Sequence, residues 1–184
     1  LYIWNNQNIK SREHEIKGRN EIGVDQQEVP LKEIHDREPN LKPIYHGRVY
    51  YQHGRHARNP KKILLKLFDL FLKKGGKFLK FNIKDIKLDE EKPIIKSETK
   101  SFLFDKIVIA CGSFSKKLTD NLDERIPLDT ERGYHVHFKD CDHLLSRPVI
   151  FQNRGFGITP MEQGLRVVGT VEFGGLDNPL SKSR

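Results

Sequence analysis

The sequence predicts a mixed α/β (α+β) fold of two lobes, one built around a buried parallel strand and one around an antiparallel sheet. Three observations predict it: a helix with both ends marked at residues 59–76, a continuous apolar run at 106–112, and several short alternating runs after residue 126. The length of 184 residues admits one substantial domain or two small lobes. Because 36% of the residues are apolar, the chain has enough apolar side chains for a sizeable core.

The composition also predicts a cellular location. The longest nearly apolar run, residues 63–72, contains Lys66 and Asp69 and is shorter than the roughly 20 apolar residues of a membrane span. The two cysteines, Cys111 and Cys141, form no disulfide framework, which is typical of a reducing compartment. We therefore expect a cytoplasmic protein. The chain begins without Met and inside a strand-like run, so we also expect it to be a fragment.

The net charge of +8 is concentrated in the middle third of the chain. Residues 61–118 carry fifteen basic and seven acidic groups, against ten and eight in residues 1–60 and eight and ten in residues 119–184. All fifteen basic residues are Lys, whereas Arg supplies the bidentate fork that reads bases and phosphates. We expect a solvated surface and no nucleic-acid partner. A non-catalytic binding domain, with this Lys-rich surface contacting an anionic partner, remains the alternative.

The helix signal is the strongest local pattern. Asn59 is a good N-cap, Pro60 suits the first helical position, and glycines at 75 and 76 mark the end. Apolar residues recur on one face, which predicts a helix packed on a sheet. These residues are Ile63, Leu64, Leu67, Leu70 and Phe71. Before this helix the sequence is less informative, with weak helical propensity at 26–34.

The strands follow in order. Residues 78–88 and 93–104 alternate and predict a hairpin with its turn at 89–91. The run 106–112 predicts a strand buried on both faces of a parallel sheet, ending at a glycine. In open α/β sheets, nucleotides bind beyond the carboxyl ends of such strands. After residue 126 an antiparallel sheet is expected, with strands at 133–138, 148–152, 156–160 and 164–173.

Candidate chemistry is sparse. The glycines at 155 and 157 precede a strand instead of opening a helix, so they do not form a phosphate loop. A metal site is not expected, because the spacing of four neighbouring residues matches no standard motif; these are His135, His137, Cys141 and His143. Cys111 is expected to be an inert buried thiol. The carboxylates at 129, 131, 162 and 172 look like solvated charges, and no catalytic residue is assigned.

Three segments resemble a known family. They are KIVIACGSFS at 106–115, IPLDTERGYHV at 126–136 and ITPMEQGLRVVGTVEF at 158–173. Together with Asn59-Pro60 and its helix, they are similar to the FAD-dependent D-amino-acid oxidase/dehydrogenase family, which includes bacterial D-amino-acid dehydrogenase small subunits, glycine oxidase and sarcosine oxidase. The resemblance spans roughly residue 44 to the end. The family's N-terminal GxGxxG lobe and its C-terminal segment, which usually supplies the arginine for the substrate carboxylate, are not in this sequence.

The resemblance implies a flavoprotein of amino-acid catabolism with FAD as cofactor. Its expected reaction is hydride transfer from a D-amino acid or related amine to the flavin, giving an imino acid that hydrolyses to a keto acid and ammonia. Electrons would then pass to oxygen or a quinone chain, the latter with the protein peripheral on the inner face of the membrane. Residues 47–125 would be part of a Rossmann-like FAD-binding lobe, and 1–46 with 126–184 part of the substrate lobe.

The resemblance also implies particular site residues. Four fall where the family's chain passes the adenosine and pyrophosphate: Ile83, Ala110, Cys111 and Gly112. Two lie on strands that wall the family's substrate cavity: Phe151 and Thr170. The segment Arg132-Gly133-Tyr134-His135 is a family marker for which we expect a structural role, so none of these four is assigned to catalysis.

Overall fold

The computed structural model describes residues 1–4, 10–45, 47–89 and 92–182. The helices are α1 (Lys10–Glu21), α2 (Leu31–Arg37), α3 (Pro60–Lys73) and α4 (Ser115–Thr119). The strands are β1 (Tyr2–Trp4), β2 (Gln26–Glu28), β3 (Gly47–Tyr51), β4 (Ile83–Asp89), β5 (Lys92–Ser97), β6 (Ser101–Leu103), β7 (Arg132–Lys139), β8 (Val149–Phe151), β9 (Phe156–Met161) and β10 (Gly164–Glu172). The chain divides into unit 1, residues 1–66 with 133–171, and unit 2, residues 67–132 with 172–183.

Unit 1 contains a seven-stranded sheet in the order β2-β3-β1-β8-β9-β10-β7. All four strands predicted after residue 126 are present and neighbour one another, which confirms the predicted sheet. One pairing departs from the antiparallel prediction, because β1 runs parallel to β8 with Ile3 opposite Phe151. The sheet is therefore mixed. The sequence around residues 1–4 is too short to predict this pairing, which joins residues almost 150 positions apart.

The main hydrophobic cluster of unit 1 lies on one face of this sheet, while Val49 and Met161 are buried on the other face. Side chains on successive strand residues alternate between the two faces. Ile3 and Val149 are fully buried, and Ile34 of α2 packs against the same face. The remaining buried members of this cluster are Val29, Leu41, Leu145, Phe151 and Leu165. Tyr2 and Ile150, which are opposite one another in the register, therefore point to the other face.

A buried carboxylate lies beside this cluster. Glu38, which follows α2, is 1% exposed and accepts hydrogen bonds from the backbone amide and the hydroxyl of Ser146. It also accepts one from Nε of Arg147 over 2.8 Å. The guanidinium groups of Arg147 and Arg37 both lie over the ring of Tyr50, 5.3 and 5.1 Å from the ring centroid respectively. A buried carboxylate is tolerated only with such partners, since an unpaired buried charge costs several kcal/mol.

We expect Glu38→Ala to lower the free energy of unfolding of the full-length protein by about 3–5 kcal/mol, because it leaves Arg147 without its buried partner. Glu33→Ala is the matched control. It removes a carboxylate of α2 that pairs with Arg37 at the surface, and it should cost less than about 1 kcal/mol. Denaturant midpoints measure both effects, and equal losses for the two variants would contradict the importance of the Glu38 network.

Helix α3 begins and ends as predicted. Oδ1 of Asn59 accepts a hydrogen bond from the amide of Lys62 over 3.0 Å, which is an N-cap contact, and the helix ends before Gly75. The prediction that its apolar face packs on a sheet is wrong for the described residues. Ile63, Leu64 and the other apolar residues of this face are between 47% and 66% exposed. Periodicity predicts which face is apolar, but the chain must also supply the surface that covers it.

Unit 2 contains the sheet β4-β5-β6. Strands β4 and β5 pair antiparallel, which confirms the predicted hairpin, but β4 begins at Ile83 and not at 78. The second predicted strand is divided into β5 and β6 by a turn. Residues 90–91 of the predicted turn lie outside the described residues.

The prediction of a buried strand at 106–112 is wrong for the structure described. Residues 104–111 form no strand, and Val108 is 89% exposed. A continuous apolar run suits burial between two layers, but a strand also requires neighbours that accept and donate its backbone hydrogen bonds. The run is part of neither sheet that the structure describes.

Candidate functional site

The four predicted cofactor residues all lie in unit 2. Ala110, Cys111 and Gly112 are consecutive and exposed, directly before a short 3-10 turn at Gly112–Phe114 and then α4. Ile83 lies elsewhere in the sequence, as the half-buried first residue of β4 opposite Ser97. The exposure of Cys111 corrects the expectation of a buried thiol.

The backbone at Gly112 is open. Its φ of +55° is in the left-handed region, which favours glycine. A Cβ added there would meet no atom within 4 Å. The turn itself is held by local hydrogen bonds, from the amide of Cys111 to Oγ of Ser115 and from the amide of Phe114 to the carbonyl oxygen of Cys111, both 3.1 Å. An ordered and uncovered backbone turn of this kind allows a ligand to approach closely.

The two predicted substrate residues lie in unit 1 on opposite faces of the sheet. Phe151 is 8% exposed in the core, where its ring stacks on Phe156 with centroids 4.5 Å apart. Gly157 follows Phe156 and is paired with Val168, so Val168 and Thr170 point away from the core. Thr170 is exposed. One cavity on a single face therefore cannot contain both side chains.

A cluster that the sequence analysis did not find surrounds Glu162, in the turn between β9 and β10. Its carboxylate accepts hydrogen bonds from Nδ2 of Asn59 and Nζ of Lys62. Its amide donates to the carbonyl oxygen of Arg58 over 2.9 Å, and Nε2 of His56 lies 3.0 Å from the carbonyl oxygen of Pro160. These contacts fix the loop before α3 onto the turn. The sequence shows the Asn59 cap but not a partner about 100 positions away.

The carboxylates at 162 and 172 are thus ion-paired, not simply solvated. Glu172 lies 3.4 Å from the guanidinium of Arg132. Arg132 also donates to the carbonyl oxygens of Asn178 and Pro179 over 2.9 and 3.1 Å. The first residue of the predicted family marker therefore fastens the segment that follows β10, which supports a structural role.

The surroundings of Glu162 lower the pKa of its carboxyl group below the usual 4.5, mainly through the hydrogen bonds from Lys62 and Asn59. Because the ionised form is the one bound, the contribution of this contact to stability is complete above pH 4.5 and is lost as the pH falls through the lowered pKa.

We expect an NMR titration of the Glu162 carboxyl carbon to give a midpoint below 4.5. Lys62→Ala should move the midpoint towards 4.5, because it removes the largest cause of the shift. Lys61→Ala, which removes a neighbouring lysine, should leave it in place. An unchanged midpoint in Lys62→Ala would show that the contact does not persist in solution.

A groove of about 820 Å³ lies beside β1 and β3 in unit 1. Four basic side chains on its walls already have intramolecular partners: Arg19 with Glu15, His53 with Asp25, Arg147 with Glu38, and Arg55 with the carbonyl oxygens of residues 52 and 54. None of the six predicted site residues lines this groove.

The described residues contain neither a metal-binding cluster nor a membrane-spanning helix. Within the described ranges, no group of three or more His, Cys, Asp or Glu residues is arranged to hold a metal ion. His135 and His143 are exposed, and His137 is half-buried. Of the helices in the described part of the chain, none combines the length and the apolar character needed to cross a membrane.

Comparison with known proteins identifies the family. A family model described as FAD dependent oxidoreductase (DAO) matches residues 1–184. The chain therefore belongs to the DAO family of FAD-dependent oxidoreductases, and FAD is the cofactor of that family. This result confirms the resemblance and the cofactor predicted from the sequence.

Individual relatives agree with this assignment. The chain is 31% identical over 160 residues to a D-amino-acid oxidase from Bradyrhizobium diazoefficiens, covering 86% of this chain and 38% of that protein. The structure superposes on glycine oxidase from Geobacillus kaustophilus with a TM-score of 0.83 at 18% identity, covering 99% of this chain and 50% of that one. The structure superposes on L-proline dehydrogenase from P. horikoshii with a TM-score of 0.80 at 14% identity, covering 99% of this chain and 51% of that one. At these identities the superpositions show the fold, and the chain spans about half of each solved structure.

Proposed function

We propose that this chain is part of an enzyme that uses FAD to oxidise an amino acid or a related amine at its carbon–nitrogen bond, with a D-amino acid as the preferred substrate. The observation that carries the proposal is the family match along all 184 residues. The D-amino-acid oxidase relative supports the stereochemistry. The similar fold of an L-proline dehydrogenase means that fold alone does not select the D-enantiomer.

Bound FAD would supply the acceptor for the hydride that leaves the α-carbon of the substrate, and water would then hydrolyse the imino acid to a keto acid and ammonia. The residues present fit such a cofactor at one place. Gly112 offers an exposed backbone in a conformation that favours glycine, with free space where a side chain would stand. We propose that Ala110, Cys111 and Gly112 lie along the adenosine and pyrophosphate, and that the backbone of Ile83 meets the adenine.

On the substrate side, the exposed face of the sheet is the proposed wall of the cavity. Thr170 lies on that face, and we propose that its side chain lines the cavity. Phe151 lies behind the same sheet, where its stacking on Phe156 keeps β8 and β9 rigid. In this proposal Phe151 acts through packing and Thr170 through contact. The division into a substrate lobe and an FAD lobe at residues 46/47 and 125/126 also stays a prediction.

The direct test uses the full-length protein. Absorbance bands of bound flavin should be present after gel filtration, and D-amino acids should bleach them under anaerobic conditions while the L-enantiomers do not. Bleaching by L-amino acids alone would contradict the preference for D-amino acids. Reoxidation by air or only by a quinone analogue would separate an oxidase from a dehydrogenase.

We expect Gly112→Asn to lower flavin occupancy of the full-length protein at least tenfold, because asparagine tolerates a positive φ but places a side chain where the cofactor should pass. Gly75→Asn is the control. It has φ +87° and equally free space, but lies at the end of α3. Flavin absorbance per protein measures occupancy, and wild-type occupancy in a folded Gly112→Asn protein would contradict the placement of the cofactor.

A further inference from the structure

Two polar side chains on the exposed face of unit 1 have no partner. Nε of Arg166, on β10, and Nε2 of His137, on β7, are inaccessible to solvent and form no hydrogen bond. Neither side chain forms an ion pair or a ring contact with any residue that the structure describes. Buried polar groups are nearly always hydrogen-bonded, so each exception calls for an explanation such as a ligand.

The strand register brings these two side chains together. Strands β10 and β7 are neighbours, and the amide of Asp140 donates to the carbonyl oxygen of Gln163 at one end of the pair. At the other end Arg132 contacts Glu172, so the strands run antiparallel. Counting three residues along both strands from the bonded pair places His137 opposite Arg166. Side chains in such cross-strand positions have Cβ atoms about 5 Å apart.

The face that carries them is open beside Val168, although Met161, at the end of β9 on the same face, is buried. Leu165 belongs to the buried core, so Arg166, the next residue, points away from it. Arg166 is paired across the sheet with Thr159, which adds a hydroxyl beside the two nitrogens. Val168, two residues further along the same face, is 40% exposed. The same face carries Thr170, the proposed substrate residue.

We propose that Arg166, with His137 beside it, binds the side-chain carboxylate of the substrate, so that acidic D-amino acids such as D-glutamate are preferred. The inference rests on the proposed function. Nε of Arg166 is inaccessible to solvent, but the two terminal nitrogens of its guanidinium can bind a carboxylate in a bidentate geometry. Thr170 lies four residues from Arg166 on β10, which is about 13 Å along the strand. Arg166 therefore meets the distal end of a substrate whose reacting carbon lies nearer Thr170.

The test compares isosteric substrates in the full-length protein. Wild type should oxidise D-glutamate with a higher kcat/KM than D-glutamine. Arg166→Gln should lower kcat/KM for D-glutamate about 10- to 100-fold, chiefly through KM, and leave that for D-alanine within about twofold. Arg166→Lys should recover part of the loss. Arg125→Gln removes an exposed arginine of unit 2 and should change kcat/KM for neither substrate.

Equal losses of kcat/KM for D-glutamate and D-alanine in Arg166→Gln would overturn the proposal, because the arginine would then act on a group that both substrates share. Binding of succinate and propionate, measured by calorimetry, gives a readout independent of turnover. Wild type should bind succinate more tightly than Arg166→Gln does, with propionate affinity unchanged. Equal succinate affinity in both proteins overturns the carboxylate site, whereas failure to oxidise any amino acid or amine overturns the proposed function.

Discussion

Unit 1 depends on the buried carboxylate of Glu38. Three donors from Ser146 and Arg147 satisfy it, and they lie about 108 positions along the chain. The same contact connects the end of α2 with the segment that enters β8, the strand paired in parallel with β1. If this charge lost its partners, its desolvation would oppose burial of Val29 and Ile34, which line the same small cavity as Glu38.

Unit 2 presents the opposite situation. Its sheet is small, and Leu67, Leu70 and Phe71 of α3 are exposed, as is Val108 at 89% between the half-buried Ile107 and Ile109. Such surfaces are stable in a complete enzyme only when other surfaces cover them. The chain spans half of the solved relatives, and Gly112 lies at the end of this exposed run. The proposed cofactor site and the exposed apolar surface are therefore adjacent in sequence.

The two faces of the unit 1 sheet have different roles. The core face carries Phe151 and Leu165 in close packing, which holds the strands in register. The exposed face carries Thr170 and the unpartnered Arg166. Specific recognition of a small substrate needs a few polar groups placed on a rigid wall. The alternation of side chains along β10 supplies both properties, since Leu165 anchors the strand that presents Arg166.

The sequence by itself determined the local features: the Asn59 cap and end of α3, the hairpin in unit 2, the strands after residue 126, and the family with its cofactor. Each depends on neighbouring residues or on a contiguous motif. Tertiary structure decided what depends on distant partners. It put β1 in parallel beside β8, joined Glu162 to Asn59, left the α3 face and Val108 exposed, and separated Phe151 from Thr170. Periodicity fixes which residues share a face, but hydrogen-bond and packing partners far along the chain decide whether that face is buried.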